Sequence, residues 1–192
     1  MRARLPFLAI FLGATALAQG CVPVIVAGGA TAAVAATDRR SVGTQLDDEN
    51  IELTALRRIT DDNRLGDDVH VNITCFNGVM LLSGEATTAE QRDIVLSLVG
   101  NFQGVKRVFN EIVIAEPTAF ATRTNDSWIT GRVKTKLLAD ENIPGRRVKV
   151  ITENGTVYLM GLVTQKEGEL AATAAQQVTG VKKIGKLFEY LD

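Results

Sequence analysis

Val69 to Thr87 reads VHVNITCFNGVMLLSGEAT, and Lys149 to Thr164 reads KVITENGTVYLMGLVT. Asn77-Gly78 falls on Asn154-Gly155, and Gly84 on Gly161, 77 positions later. Asn-Gly between two β-rich runs supplies the positive φ angles of a type I′ turn, so each stretch is expected to form a β-hairpin. The echo continues past the hairpin, where Gly104-Val105-Lys106-Arg107-Val108 is matched by Gly180-Val181-Lys182-Lys183-Ile184. The chain is therefore an internal duplication. What both copies share serves folding, and what only one copy carries is a candidate for function.

Working outward, Ile51, Ala55 and Ile59 are spaced by four, as are Ile129, Val133 and Leu137. This spacing predicts a helix from Asn50 to about Asp62 and a counterpart ahead of the second hairpin. Thr88 to Asn101 and Gln165 to Gln177 carry apolar residues at helical spacing, and each of these helices is expected to stop near a glycine, Gly104 or Gly180. Val108, Ile112 and Ile114, like Ile184, Phe188 and Tyr190, mark a third strand. Each copy thus reads α-β-β-α-β. The hairpin is antiparallel and the strand-helix-strand return is parallel, so the expected fold is α+β, with a three-stranded mixed sheet covered by two helices on one face.

Residues 47–115 and 125–192 are assigned to the two domains, with 116–124 as a short linker containing Pro117. Thr37 to Asn50 is polar and aperiodic and reads as a linker or extended arm. Residues 21–46 together form a Gly/Ala-rich tether and polar linker. The first twenty residues are set aside as a targeting segment: Arg2 and Arg4 precede an apolar run from Leu5 to Ala18, followed by Ala18-Gln19-Gly20-Cys21. That arrangement resembles a bacterial lipoprotein signal, which implies acylation of Cys21. Val22 rather than Asp follows the cysteine, so the outer membrane is the expected destination. An uncleaved anchor extending through Val22 to Ala36 is the alternative, although Pro23 and the Gly/Ala content suit a tether better.

A formal net charge of −1 excludes a protein organised around nucleic acid. Catalysis has little to draw on, because the mature chain offers one histidine, His70, and one thiol besides Cys21. Cys75 alternates with Val71 and Ile73 and is expected in the core, whereas His70 is expected to be exposed on the opposite side. The carboxylate groups Asp47-Asp48-Glu49, Asp61-Asp62 and Asp67-Asp68 read as caps and solvated turns, and Asp126 as the N-cap of the second domain's first helix. No cofactor or metal is expected.

The copies differ at Trp128, the single tryptophan, whose counterpart is Asn50. Trp128 lies about 140° from the apolar arc centred on Val133, at ~100° per residue. Arg132 and Thr135 share its side, Gly131 and Leu138 lie beside it, and Lys134 and Lys136 flank it. No acidic side chain occurs between Ser127 and Ala139. An indole beside cations suits an anionic membrane surface. The same residues equally allow docking against the other domain, the linker or a protein partner.

The paired α-β-β-α-β repeats, with their Asn-Gly turns, Gly84 and Gly161, and the Gly-Val-Lys segments, resemble the BON domain. The lipoprotein signal, Ala36-Thr37-Asp38-Arg39-Arg40-Ser41-Val42-Gly43-Thr44-Gln45, and Asn125-Asp126-Ser127-Trp128-Ile129-Thr130 extend the resemblance to dual BON-domain outer-membrane lipoproteins. It implies a non-enzymatic, periplasm-facing lipoprotein that supports outer-membrane integrity and is found at division sites. It further implies binding of anionic phospholipids, phosphatidylglycerol and cardiolipin, through the first helix of the second domain. On this chain those positions are Trp128, Thr130, Gly131, Arg132, Lys134, Thr135, Lys136 and Leu138. An envelope scaffold that uses the same face for an outer-membrane assembly or division protein is the alternative.

Overall fold

The computed structural model describes residues 38–66 and 68–191, so Cys21 and the targeting and tether segments through residue 37 lie outside the described residues. The first repeat comprises helix α1 (Val42–Thr60), strands β1 (Val69–Phe76) and β2 (Val79–Ala86), helix α2 (Ala89–Val99) and strand β3 (Arg107–Ile114). The second comprises α3 (Phe120–Ala139), β4 (Val148–Glu153), β5 (Thr156–Val163), α4 (Gln165–Gln176) and β6 (Lys183–Tyr190). Both sheets have three strands with the second in the middle, antiparallel to the first and parallel to the third. The expected α+β architecture is thus what the chain adopts.

The hairpin turns carry the register. Asn77 and Asn154 have φ of 52° and 46°, and the glycine after each is also left-handed, as a type I′ turn requires. Gly84 and Gly161 have a separate reason to be glycine. A Cβ on either would stand 2.0 or 2.6 Å from a carbonyl oxygen of the neighbouring strand. Helices α2 and α4 both start with a capping box, Thr88 with Gln91 and Thr164 with Glu167. They end at Val99 and Gln176, so Gly104 and Gly180 stand beyond the helix ends, where they pack against Ile51 and Ile129 of the first helices.

Both first helices begin earlier than their apolar spacing predicts. α1 starts at Val42, capped by the Ser41 hydroxyl, within the stretch expected to be linker. α3 starts at Phe120, and Asp126 lies in its second turn, 4% exposed, rather than at its N-cap. The physical reason is that Asp126 has another task. Its Oδ2 and Oδ1 accept from the backbone N–H of Asn154 and Gly155, both at 2.8 Å. Asp48 does the same for Asn77 and Gly78 at 2.7 and 2.8 Å. A buried carboxylate therefore latches each first helix onto its own hairpin turn, satisfying amides that would otherwise be orphaned.

Two cores lie between helices and sheets. One gathers Ile51, Ala55, Cys75, Met80, Leu82, Val95 and Val99, and the other Ile129, Val133, Leu137, Val150, Leu159, Ala171 and Phe188. A third cluster joins Phe76, Val79 and Leu81 of the first sheet to Tyr158, Met160 and Leu187 of the second. The helix-free faces of the two sheets therefore pack on each other, and all eight residues of β2 are buried. Polar contacts rim this seam: Tyr158 Oη donates to Glu111 at 3.2 Å, Asn77 Nδ2 to Glu189 at 2.9 Å, and Lys149 Nζ to Glu52 at 2.9 Å. The segment before α1 straps both repeats. Arg39 grips Glu167 at 2.8 and 3.0 Å, while Arg40 pairs with Asp48 at 2.8 Å and stacks 3.7 Å from the Phe76 ring centroid.

Replacing Asp126 with alanine strands two buried amides that were bonded to a charged acceptor. The expected cost is about 3 kcal/mol, measured by urea unfolding, with a smaller loss for Asp126→Asn, which keeps one acceptor.

Candidate functional site

The exposed side of α3 is defined by the side that is buried. Ile129, Val133, Leu137 and the latch residue Asp126 face inward. Trp128 and Leu138 are 53% and 57% exposed. The contact between the two repeats is made by their sheets. Phe120, 78% exposed, joins the same side, since at ~100° per residue it lines up with Leu138 and lies about 80° from Trp128. Sequence reasoning places Phe120 in a linker and so misses it, because its counterpart Val42 at the 78-position offset also falls in a stretch read as linker.

The polar atoms of this face are turned inward. The hydroxyls of Thr124, Ser127 and Thr135 donate to the carbonyls of Phe120, Arg123 and Gly131, at 2.9 to 3.0 Å. The Arg132 guanidinium carbon lies 4.5 Å from the Trp128 ring centroid, a cation–π stack that holds the indole upright. Arg123 and Lys134 are exposed on the flanks, and Gly131 has open space where a side chain would stand. The face is thus an aromatic and aliphatic stripe with its hydroxyls satisfied and a basic border.

Two expected members lie elsewhere. Thr130 is half-buried and donates its hydroxyl to Thr152 Oγ1 at 2.7 Å, facing β4. Lys136 is half-buried and donates to Gln177 Oε1 at 2.8 Å, facing the end of α4. Trp128, Gly131, Arg132, Lys134, Thr135 and Leu138 are brought together; Thr130 and Lys136 support the helix from its edges.

The residues with catalytic potential are otherwise engaged. Cys75 is 1% exposed and its thiol donates to Asp48 Oδ1 at 3.2 Å. Burial, reinforced by the Asp48 and Glu52 charges, pushes the thiol up to about 12. His70 is half-buried rather than exposed, paired across the strands with Glu85. Glu153 of the second domain accepts from Asn72 Nδ2 at 2.9 Å near this spot. Burial above all, with the charges of Glu85 and Asp126, raises the Glu153 carboxyl, against the opposing effects of Asn72 and His70. Among the described residues no group of three or more His, Cys, Asp or Glu side chains is placed to hold a metal ion. No helix among them is long and apolar enough to cross a membrane.

Two α-β-β-α-β units packed sheet to sheet, with an exposed aromatic stripe beside cations on the second unit's first helix, define a tandem α+β module. The family model for the BON domain matches residues 47–116 and 125–192, and the chain belongs to the BON-domain family. It is 42% identical over 185 residues, 96% of each chain, to Outer membrane lipoprotein DolP of Haemophilus influenzae. It is also 37% identical to the 21 kDa hemolysin of Actinobacillus pleuropneumoniae, over 80% of this chain and 79% of that one. With Osmotically-inducible protein Y of Escherichia coli K12 it shares 30% identity, over 74% and 72%. These relationships make it a dual BON-domain outer-membrane lipoprotein.

Because a raised carboxyl is disfavoured in its charged form, Glu153 stabilises the seam when protonated, and that contribution is lost as pH rises through its folded range. Glu153→Gln is expected to raise the melting temperature at neutral pH and to make no difference near pH ~4. Thermal scans at the two pH values check this.

Proposed function

We propose that this protein is a non-enzymatic, lipid-anchored protein of the outer membrane, facing the periplasm, whose α3 stripe binds anionic phospholipid. The observation that carries the reading is the exposed Phe120, Trp128 and Leu138 beside Arg123, Arg132 and Lys134, with neighbouring hydroxyls tied to the helix backbone. Inserting such a surface into headgroups desolvates few unpaired polar atoms. The indole suits the headgroup boundary, and each cation near a charged bilayer contributes about 1 kcal/mol. Phosphatidylglycerol and cardiolipin are the expected ligands.

Acylation at Cys21 would supply the first membrane signal and the stripe the second. The anchor keeps the local concentration of bilayer high, so a weak helix contact suffices to favour anionic patches. Enrichment at such patches, including division sites, and support of outer-membrane integrity follow from this division of labour. The same stripe presented to an assembly or division protein is the competing reading, and vesicles distinguish the two.

The soluble form lacking residues 1 to 21 is expected to bind vesicles containing phosphatidylglycerol or cardiolipin and to ignore purely zwitterionic ones. Binding should weaken with added salt, since screening reaches within ~10 Å at 0.1 M. Trp128→Glu should reduce binding by roughly tenfold or more, at about 1.4 kcal/mol per factor of ten. Co-sedimentation that depends neither on anionic lipid nor on Trp128 would favour the protein-partner reading. Separately, metabolic labelling with a fatty acid should mark the full chain and leave Cys21→Ala unlabelled.

A further inference from the structure

The two first helices differ in a second respect, on the first domain. α1 exposes Leu53 and Leu56, 53% and 48%, where α3 has Gly131 and Lys134. These leucines wall a groove of about 380 Å³ whose remaining lining is Glu49, Glu52, Val71, Asn72 and Ile73. The groove runs beside β1, an edge strand of its sheet. Cys75 sends its N–H to Glu52 at 2.6 Å and receives Lys149 Nζ on its carbonyl at 3.5 Å, both off the sheet. Alternation along the strand puts the N–H and C=O of Val71 and Ile73 on that same edge. Among the described residues no strand pairs with them.

We propose that this edge groove binds an extended segment of a partner protein, apolar at alternate positions and carrying lysine or arginine, which adds to β1 as a fourth strand. Unpaired backbone donors and acceptors select an extended chain over a lipid tail. Leu53, Leu56, Val71 and Ile73 offer an apolar bed to every second side chain of such a segment. The charge selects its polarity: Glu49 is exposed and without an ion-pair partner among the described residues, Glu52 shares its charge with Lys149, and no lysine or arginine lines the groove. Glu49 is thus the uncompensated charge of the groove, and it favours a basic segment over a second acidic copy or an anionic bilayer. The Glu52–Lys149 bridge at 2.9 Å closes the edge at Cys75, so pairing is confined to Val69 through Ile73. In the second repeat the same place is closed by the Thr130–Thr152 hydrogen bond and has no leucine wall.

The test uses the full chain in detergent micelles and a fluorescent nine-residue peptide of alternating valine and threonine with lysine at each end. The expected result is saturable binding with slowed amide exchange at Val71 and Ile73. Binding should fall roughly tenfold in the double variant Leu53→Ser, Leu56→Ser, whose exposed positions leave the core intact. It should also fall when the peptide lysines become glutamates, vanish when alternate peptide nitrogens are methylated, and persist in Trp128→Glu, which separates this site from the α3 stripe. Absence of saturable binding, or binding indifferent to the leucines or to methylation, overturns the proposal. Concentration-dependent protection of Val71 and Ile73 without peptide would assign the groove to a second copy, and protection by anionic vesicles alone would assign it to lipid; either also overturns it.

Discussion

A carboxylate on the second turn of a helix, reaching across to the two amides of an Asn-Gly turn, fixes how each repeat is put together. The turn sets the hairpin register, and the latch sets the rotation of the first helix about its axis. Once Asp48 and Asp126 point at their turns, Ile51, Ala55 and Ile59, or Ile129, Val133 and Leu137, must point into the core. The opposite faces are then committed to solvent. What the chain writes on those faces is free of folding duty, which is why the two copies diverge there and agree elsewhere.

The sheets impose the second constraint. Both helices of a repeat lie on one face of a three-stranded sheet, so the other face, rich in valine, leucine and phenylalanine, needs its own cover. Each repeat supplies it to the other, and the middle strand β2 ends up buried throughout its length. The seam is apolar at Phe76 and Leu81 and grades into carboxylates at Glu85, Glu111 and Glu153, where Tyr158 donates to Glu111 and Asn72 to Glu153. Burial, followed by the Glu111 charge, raises the Tyr158 phenol, so that hydrogen bond holds its proton firmly. This seam sets where α3 lies relative to the first domain.

Much of this was legible in sequence. Asn77-Gly78 and Asn154-Gly155 declared the hairpins because few residues tolerate a left-handed backbone, and the four-residue spacing of Ile129, Val133 and Leu137 declared an inward arc. The early helix starts share one cause. Asp47-Asp48-Glu49 and Asp126 looked like solvated caps because a buried carboxylate with two backbone donors has the same one-letter signature as an exposed one. The helices therefore start earlier than the apolar spacing predicts and Phe120 belongs to α3, while Thr130, at that helix's edge, faces β4. The seam was out of reach, since the continuous apolar run of β2 says that both faces are covered without saying by what. Asp48 and Asp126 did fall at the helix offset from each other, and that coincidence, read together with the turn offset, was the available clue.

The exposed faces of α1 and α3 make the closing argument. Both present large apolar side chains to solvent: Val42, Leu46, Leu53 and Leu56 on one, Phe120, Trp128 and Leu138 on the other. Hydrophobicity alone would assign them the same work. Their borders differ in charge: α1 mixes Asp47, Glu49 and Glu52 with Arg57 and Arg58, whereas α3 between Ser127 and Ala139 carries only the cations Arg132, Lys134 and Lys136. Near an anionic bilayer the mixed border gains little, whereas the cations of the second attract by energies comparable to the insertion of one apolar side chain. Duplication gave the chain two equivalent helix faces, and charge rather than apolar area is what separates a face suited to lipid from one suited to protein.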